Sequence, residues 1–476
     1  MTELKKRMIV ELDLESIAFG GQAVAHHNGY TIFVERGLPG QRVEAQIVRQ
    51  KKNYAEARLR KVLSHSPYEV PAPCRYFGVC GGCLFQNLDY HQQLVQKQRQ
   101  VADSLAHIGG FANLDVLPVL PSPDLYYYRN KMEFSFARHR WLTDGEIQSG
   151  LPLLTKNFAL GLHVPRYYDK VLDIDACLLL SEQSNQVLHA VKSFALRSEL
   201  PTYCTSDHSG FWRFLVIRQS KRTEQMMVNL VTADHPDGEP LVRQLAQELT
   251  SSFDFVSTVV HNISRKKAQI AFGDEEHILF GPGYIEEWLG DKRYRITANS
   301  FFQTNTRQAE RMYQLILDWG EFNEQQIVYD LYSGSGGIAI FIAPQVKRVV
   351  GVELVPQAIQ DAITNCQLNS IDNCEFIQGD LKDQLADPAE MARVYGRPTT
   401  VIIDPPRSGM HPKLPARILQ LEPSKIIYVS CNPASLARDL KMLVNGNYQI
   451  RRVQPIDMFP HTAHGEVVAL LERRSA

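Results

Sequence analysis

The sequence predicts an α/β fold: a mostly parallel sheet with helices on both faces, preceded by a small β-barrel and a central mixed α/β region. Three observations lead there. From about residue 300, short apolar strand-like runs alternate with helical stretches, the pattern of a parallel sheet with crossover helices. Residues 1 to 65 instead carry short strand candidates separated by turn signals. The length, 476 residues, suggests about three domains. The expected division is 1–65, 66–290 and 291–476.

Composition agrees with a soluble globular chain: 44% of residues are hydrophobic and 22% charged. The net charge of −1 announces no nucleic-acid partner, so any basic surface must be local. The N-terminus, Met1-Thr2-Glu3-Leu4-Lys5-Lys6-Arg7, has no apolar signal core, and the most apolar stretch, Ile338 to Ala343, is too short to span a bilayer. A cytoplasmic protein is expected, with no membrane contact and no obligate protein partner evident. Its eight cysteines then call for metal, catalysis or burial, because disulfides are rare in that compartment.

In the first segment, Ile9–Leu12, Thr31–Val34 and Val43–Val48 are strand candidates, with Gly20-Gly21 and Pro39-Gly40 as turns. After them come Arg49, Lys51, Lys52, Arg58, Arg60 and Lys61 against a lone Glu56, with Tyr54 among them. Such a strip suits phosphate contact and base stacking. It equally suits an edge strand guarded by lysines. Pro67, Pro71 and Pro73 mark a linker. Cys74, Cys80 and Cys83 follow in the spacing C-x5-C-x2-C, and Cys177 could complete a quartet from a distance. Four thiolates suit zinc or an iron–sulfur cluster, and spacing does not choose between them. Cys204, Cys366 and Cys374 read as core residues. Met132–Phe136 and Phe214–Ile217 are strand-like, but the topology of the middle region is not legible.

The C-terminal pattern is regular. Ile327–Tyr332, Val346–Glu353, Cys374–Gln378, Val401–Asp404 and Ile426–Ser430 read as strands, with helices over Pro356–Asn369 and Pro433–Val444. The first strand runs into Asp330-Leu331-Tyr332-Ser333-Gly334-Ser335-Gly336-Gly337, whose glycines would let backbone approach a ligand. Gly334-x-Gly336-x-x-Ala339 also fits a dinucleotide fingerprint, which keeps a nicotinamide-dependent oxidoreductase open. Two carboxylates argue the other way. Asp330 would repel a pyrophosphate, and Glu353, 23 residues on, suits the hydroxyls of a ribose. S-adenosylmethionine has a ribose and a cationic tail and no phosphate. Asp380 and Asp404 follow the third and fourth strands, so four acidic residues should gather along one rim.

Cys431, in Val429-Ser430-Cys431-Asn432-Pro433, ends the fifth strand on that rim. Asn432 can cap the next helix and Pro433 suits its first turn. A thiol at a helix N-terminus is expected to have a lowered pKa. Glu466, in Phe459-Pro460-His461-Thr462-Ala463-His464-Gly465-Glu466, reads as an ordinary charged residue, and His461 with His464 as a weak metal pair.

Taken together, these motifs resemble those of the RNA uridine-5-methyltransferases, over nearly the whole chain. The N-terminal segment looks like their RNA-binding, OB-like TRAM barrel. Ser300-Phe301-Phe302-Gln303-Thr304-Asn305 resembles the motif whose glutamine contacts S-adenosylmethionine. The resemblance implies a Rossmann-like class I methyltransferase domain with Gln303, Tyr332, Glu353, Asp380 and Asp404 at the cofactor. It implies Cys431 as nucleophile and Glu466 as base. A cysteine added to carbon 6 of uracil makes carbon 5 electron-rich, and a base must then remove the carbon 5 proton. A subset of the family carries a [4Fe-4S] cluster on a quartet such as Cys74, Cys80, Cys83 and Cys177, with structural zinc the alternative. That quartet favours ribosomal RNA (23S) as substrate, by analogy, over the T-loop of tRNA. Gly337 departs from members that place an asparagine there. A non-catalytic RNA-binding protein is the remaining alternative.

Overall fold

The computed structural model describes residues 4–149, 157–445 and 447–474. Residues 1–3 of the predicted barrel segment, 150–156 of the central segment, and 446 and 475–476 lie outside that description.

The N-terminal strands are Ile9–Asp13, Ser16–Ile17, Ala23–His27, Tyr30–Glu35, Arg42–Gln50 and Tyr54–Ser64, in the spatial order first, fifth, sixth, fourth, third, second. Alternate residues point inward, so Val10, Leu12, Ala23, Ala25, Ile32, Val34, Val43, Ala45, Ile47, Ala55 and Ala57 make one core. The part of the basic strip from Tyr54 on is itself a strand, whose first inward residues are Ala55 and Ala57. It pairs with Arg42–Gln50 along its length but with Tyr30–Glu35 only as far as Arg58. Arg60 and Lys61 are therefore exposed on a stretch paired on one side only, where cations guard an open edge.

The central sheet has eight strands in the order Glu275–Phe280, Val256–Ile263, Met226–Thr232, Trp212–Gln219, Lys131–Ala137, Ala159–Val164, Tyr167–Asp173, Arg140–Trp141. Phe134, Trp212, Leu215, Val228 and Leu230 pack beneath helices Glu182–Arg197 and Gly238–Ser252 through Val187, Val191 and Leu245.

The C-terminal sheet contains β1 (Ile327–Leu331), β2 (Arg348–Glu353), β3 (Cys374–Gln378), β4 (Thr400–Ile403), β5 (Lys425–Ser430), β6 (Tyr448–Ile456) and β7 (Glu466–Arg473), in the order 3-2-1-4-5-7-6. β1 to β5 pair in parallel, and β7 is antiparallel to both neighbours. Both faces are buried, as parallel sheets require. Val328, Ile402, Ile427 and Val429 face one apolar cluster; Tyr329, Leu331, Val401, Ile403 and Tyr428 face the other. Two earlier elements join these clusters. Helix Tyr90–Ser104 contributes Val101, and the hairpin Tyr284–Leu289/Lys292–Thr297 contributes Leu289, Tyr294 and Ile296. Among the described residues no helix is long and apolar enough to cross a membrane.

One buried carboxylate ties the central sheet to the C-terminal unit. Glu287, with 0% exposure, accepts from Ser220 Oγ (3.0 Å), Lys221 N (2.7 Å), Arg222 N (3.2 Å) and Thr306 Oγ1 (3.0 Å). Glu287→Ala leaves these donors without acceptors and should lower stability by about 3 kcal/mol. Urea unfolding followed by tryptophan fluorescence measures this; an unchanged midpoint would remove Glu287 as a structural tie.

Candidate active site

The chain leaves β1 through a turn with three left-handed residues, Tyr332 (φ 65°), Gly334 (φ 54°) and Gly336 (φ 79°), and enters helix Gly337–Ile342. The two glycines do different work. A Cβ on Gly336 would press on Ile340, Ala362 and Phe376 at 3.0–3.2 Å, whereas one on Gly334 would meet nothing within 4 Å. Gly336 is there for packing, and Gly334 faces open space. Gly334 N–H donates to Glu353 Oε2 (3.0 Å), while Glu353 Oε1 accepts from Val355 N–H (2.8 Å). Leu354 and Val355, exposed beside Glu353, offer an apolar face for a base.

Asp330 is buried. One carboxyl oxygen accepts from Ala339 N–H (3.1 Å), and the other has no partner among the described residues. Burial, with neighbouring Asp404, pushes its pKa up to about 8. Burial pushes Asp404 up to about 7. Asp380 caps the short helix Leu381–Gln384 instead, accepting from Lys382 N–H (3.0 Å) and pairing with its ammonium (2.9 Å), which holds the carboxyl below its ordinary range. Thus Asp330, Glu353 and Asp404 share one neighbourhood, and Asp380 stands engaged at its outer end. Gln303 lies in a segment pinned from the central region. Asn130 Nδ2 donates to the Gln303 carbonyl (2.8 Å), and Ser335 Oγ of the glycine turn donates to the Phe301 carbonyl (3.2 Å).

Cys431 follows β5. Asn432 caps helix Pro433–Val444 by accepting from Ala434 N–H (3.0 Å), and its amide donates to the Arg407 carbonyl (2.9 Å). The expectation of a lowered thiol pKa is corrected here. Burial, with Glu466 nearby, pushes Cys431 up to about 11, against the lowering effect of Arg407. Glu466, 7% exposed, opens β7, and burial with Asp404 beside it raises its carboxyl well above the ordinary range, against Arg407. Cys431, Glu466 and Asp404 therefore form one electrostatic group in which Arg407 is the opposing cation. Sequence reasoning did not single out Arg407; its position in Asp404-Pro405-Pro406-Arg407 was the available signal. His461 is held by other contacts. Its ring stacks on Tyr126 (4.5 Å) and Nδ1 meets the Gln93 amide (3.2 Å).

The absence of a side chain at 337 has a local cause: a Cβ there would lie 2.6 Å from the Tyr313 hydroxyl. That hydroxyl is buried near Asp404 and Asp330, which, after burial itself, raise its pKa. The cysteines Cys74, Cys80, Cys83 and Cys177 line one cavity of about 800 Å³, with Tyr76, Phe77 and Arg129. Burial and neighbouring thiols push Cys80 up to about 11 and Cys83 up to about 12, and raise Cys177. Among the described residues no group of three or more His, Cys, Asp or Glu side chains is closed tightly enough to hold a metal ion. Cys204 and Cys366 are core residues as expected, and Cys374 is half-buried.

A 3-2-1-4-5-7-6 sheet, a glycine turn facing open space and a rim of carboxyl groups beside it suited to a cation define an S-adenosylmethionine-dependent methyltransferase. The comparisons carry this further. The tRNA (Uracil-5-)-methyltransferase family profile matches residues 220–474, and that of the TRAM domain residues 3–59. An uncharacterised RNA methyltransferase of Chlorobaculum tepidum is 44% identical over 91% of this chain and 90% of its own. One of Bacteroides thetaiotaomicron is 39% identical over 96% of this chain and 100% of its own. A solved structure, the tRNA (uracil-54, C5)-methyltransferase of Pyrococcus abyssi in complex with S-adenosyl-L-homocysteine, superposes with a TM-score of 0.73 at 30% identity, covering 97% of this chain and 100% of that one. The chain belongs to the tRNA (Uracil-5-)-methyltransferase family, and its cofactor is S-adenosylmethionine. The nicotinamide and non-catalytic readings fall away.

The rim's proton affinity has a measurable consequence. A cation entering beside Asp330 and Asp404 favours their ionised forms, so their pKa values fall and protons leave. Titration calorimetry at pH 7 in buffers of different ionisation enthalpy should show cofactor binding releasing up to about one proton, and less in Asp404→Asn. Proton uptake would contradict the rim geometry.

Proposed function

We propose that this protein methylates carbon 5 of a uridine in 23S ribosomal RNA, with Cys431 as nucleophile and Glu466 as general base. The observation carrying this reading is the shared electrostatic group of Cys431, Glu466, Asp404 and Arg407 at the ends of β4, β5 and β7. Gln303, Tyr332, Glu353, Asp380 and Asp404 hold the cofactor. The orphaned oxygen of Asp330, the open space at Gly334 and the apolar Leu354 support the fit. When bound, the cofactor supplies a methyl group on a cationic sulfonium.

At rest the buried Glu466 carboxyl and the half-buried Cys431 thiol both keep their protons. The target uridine, flipped from its stack, brings carbon 6 to Cys431. The Cys431 thiol gives its proton to solvent, the thiolate so formed is favoured by the neighbouring Arg407 charge, its sulfur bonds to carbon 6, and the ring's displaced electron pair makes carbon 5 nucleophilic. Carbon 5 would then take the methyl group as the cofactor's methyl–sulfur bond breaks, leaving a neutral thioether. Glu466, ionised by losing its own proton to solvent, removes the carbon 5 proton, the electron pair reforms the 5,6 double bond, and the bond from carbon 6 to Cys431 breaks to return the thiolate. A carboxyl with a raised pKa is a stronger base once ionised, which suits this step.

The chain divides, in this proposal, into an RNA-binding barrel (1–65) exposing Arg58, Arg60 and Lys61, a central unit (66–290) and a catalytic unit (291–476), working in the cytoplasm. The quartet Cys74, Cys80, Cys83 and Cys177 holds a [4Fe-4S] cluster; the four thiols around one cavity support this, with structural zinc the alternative. A second substrate reading, a T-loop uridine of tRNA, is favoured by the likeness to the Pyrococcus abyssi enzyme.

Mapping 5-methyluridine in cells lacking the protein should reveal its loss from ribosomal RNA; loss confined to tRNA selects the second reading. Cys431→Ala should abolish labelled methyl transfer by at least about a hundredfold while cofactor binding survives. Purified without oxygen, the protein should contain about four iron and four sulfide per chain. Stoichiometric zinc in a colourless sample would replace the cluster.

A further inference from the structure

Helix Tyr90–Ser104 buries polar side chains where an ordinary amphipathic helix would bury apolar ones: Gln93 is 1% exposed, and Gln96, Lys97 and Gln100 are each 6% exposed. The spacing places them on one face. Lys97 sits in the middle. Its ammonium donates to Asp457, to the Phe459 carbonyl (3.1 Å) and to the His464 carbonyl (2.9 Å), which uses all three of its N–H groups. Those acceptors lie near both ends of the loop 457–465, which joins β6 to β7. Glu466 is the residue after that loop. Gln93 adds a fourth bond by accepting from His461 N–H (3.0 Å) at the loop's centre.

The helix is fixed from its other side as well. Gln96 Oε1 accepts from Ile17 N–H (2.9 Å), and Gln100 Nε2 donates to the Ile17 carbonyl (3.1 Å) of the barrel. For packing alone, an apolar pair of similar volume would serve in place of buried Lys97 and Asp457. What an apolar pair lacks is direction: three donors on one nitrogen set the distance between the two ends of the loop.

We propose that Lys97 is a positioning residue of the methylation reaction, cinching loop 457–465 so that the Glu466 carboxylate meets the carbon 5 proton. The inference rests on the reading of Glu466 as the base. It predicts a selective defect: proton removal suffers and addition of Cys431 to carbon 6 does not.

Two substrates separate these steps. Release of tritium from RNA carrying 5-tritiated uridine reports proton removal, and a denaturation-resistant adduct with 5-fluorouridine RNA reports Cys431 addition and methyl transfer. Lys97→Met should slow tritium release about tenfold or more, leave the adduct rate within about twofold, and accumulate methylated RNA still attached to protein. Lys97→Met combined with Asp457→Asn leaves no unpaired buried charge and should show the same split, so a folding failure of the single variant does not decide the matter. Equal slowing of both rates in the folded variant, or tritium release at the wild-type rate, overturns the proposal. Glu466→Gln is the control. If it stalls with RNA attached while Lys97→Met turns over normally, Lys97 alone is misassigned. If Glu466→Gln releases tritium normally, the base reading falls, and the role of Lys97 with it.

Discussion

The architecture of this protein turns on the burial of acidic groups beside one another. Asp330, Asp404 and Glu466 lie in one desolvated neighbourhood, and burial raises each of them. Carboxyl groups so placed cannot all ionise without an opposing charge. Arg407, close to both Glu466 and Cys431, supplies part of it. Burial raises the Cys431 thiol as well, so the group as a whole favours its neutral forms.

Holding such a site takes structure from far away in sequence. The catalytic rim belongs to the C-terminal sheet, but the segment carrying Gln303 is gripped by Asn130. Asn305 caps helix Thr306–Gly320 and donates to the Met458 carbonyl (3.1 Å) in the loop that leads to Glu466. Buried hydrogen bonds to fixed backbone atoms are directional, unlike apolar packing. The enzyme uses them where the position of an oxygen or a sulfur matters, and uses Val, Ile and Leu clusters elsewhere.

Sequence patterns exposed some of this and hid the rest, for physical reasons. β1 to β5 were legible because strands buried on both faces are continuous apolar runs ending in rim residues with chemistry of their own. The strand Tyr54–Ser64 was only half legible: its cations allowed an edge strand or an RNA contact, since Ala55 and Ala57 carry little hydrophobic signal between charged neighbours. The order of the eight central strands follows from long-range pairing that no local window records. The place of Cys431 on the rim was legible from its position in the chain, but its proton affinity was misread: a helix N-terminus is visible in sequence, whereas burial and the neighbouring Glu466, 35 residues on, are not. Lys97 was invisible for the opposite reason, being a lysine in a polar-looking helix that faces inward.

Gly337 and Tyr313 show how closely the turn and the core are fitted to each other. Methyl-sized bulk at 337 collides with a phenol that the core already encloses. A side chain at 337 must push that hydroxyl aside, and shortening Tyr313 instead would open a void beside Asp404 and Asp330. The two positions are sterically coupled, so what a change at one costs depends on which residue occupies the other.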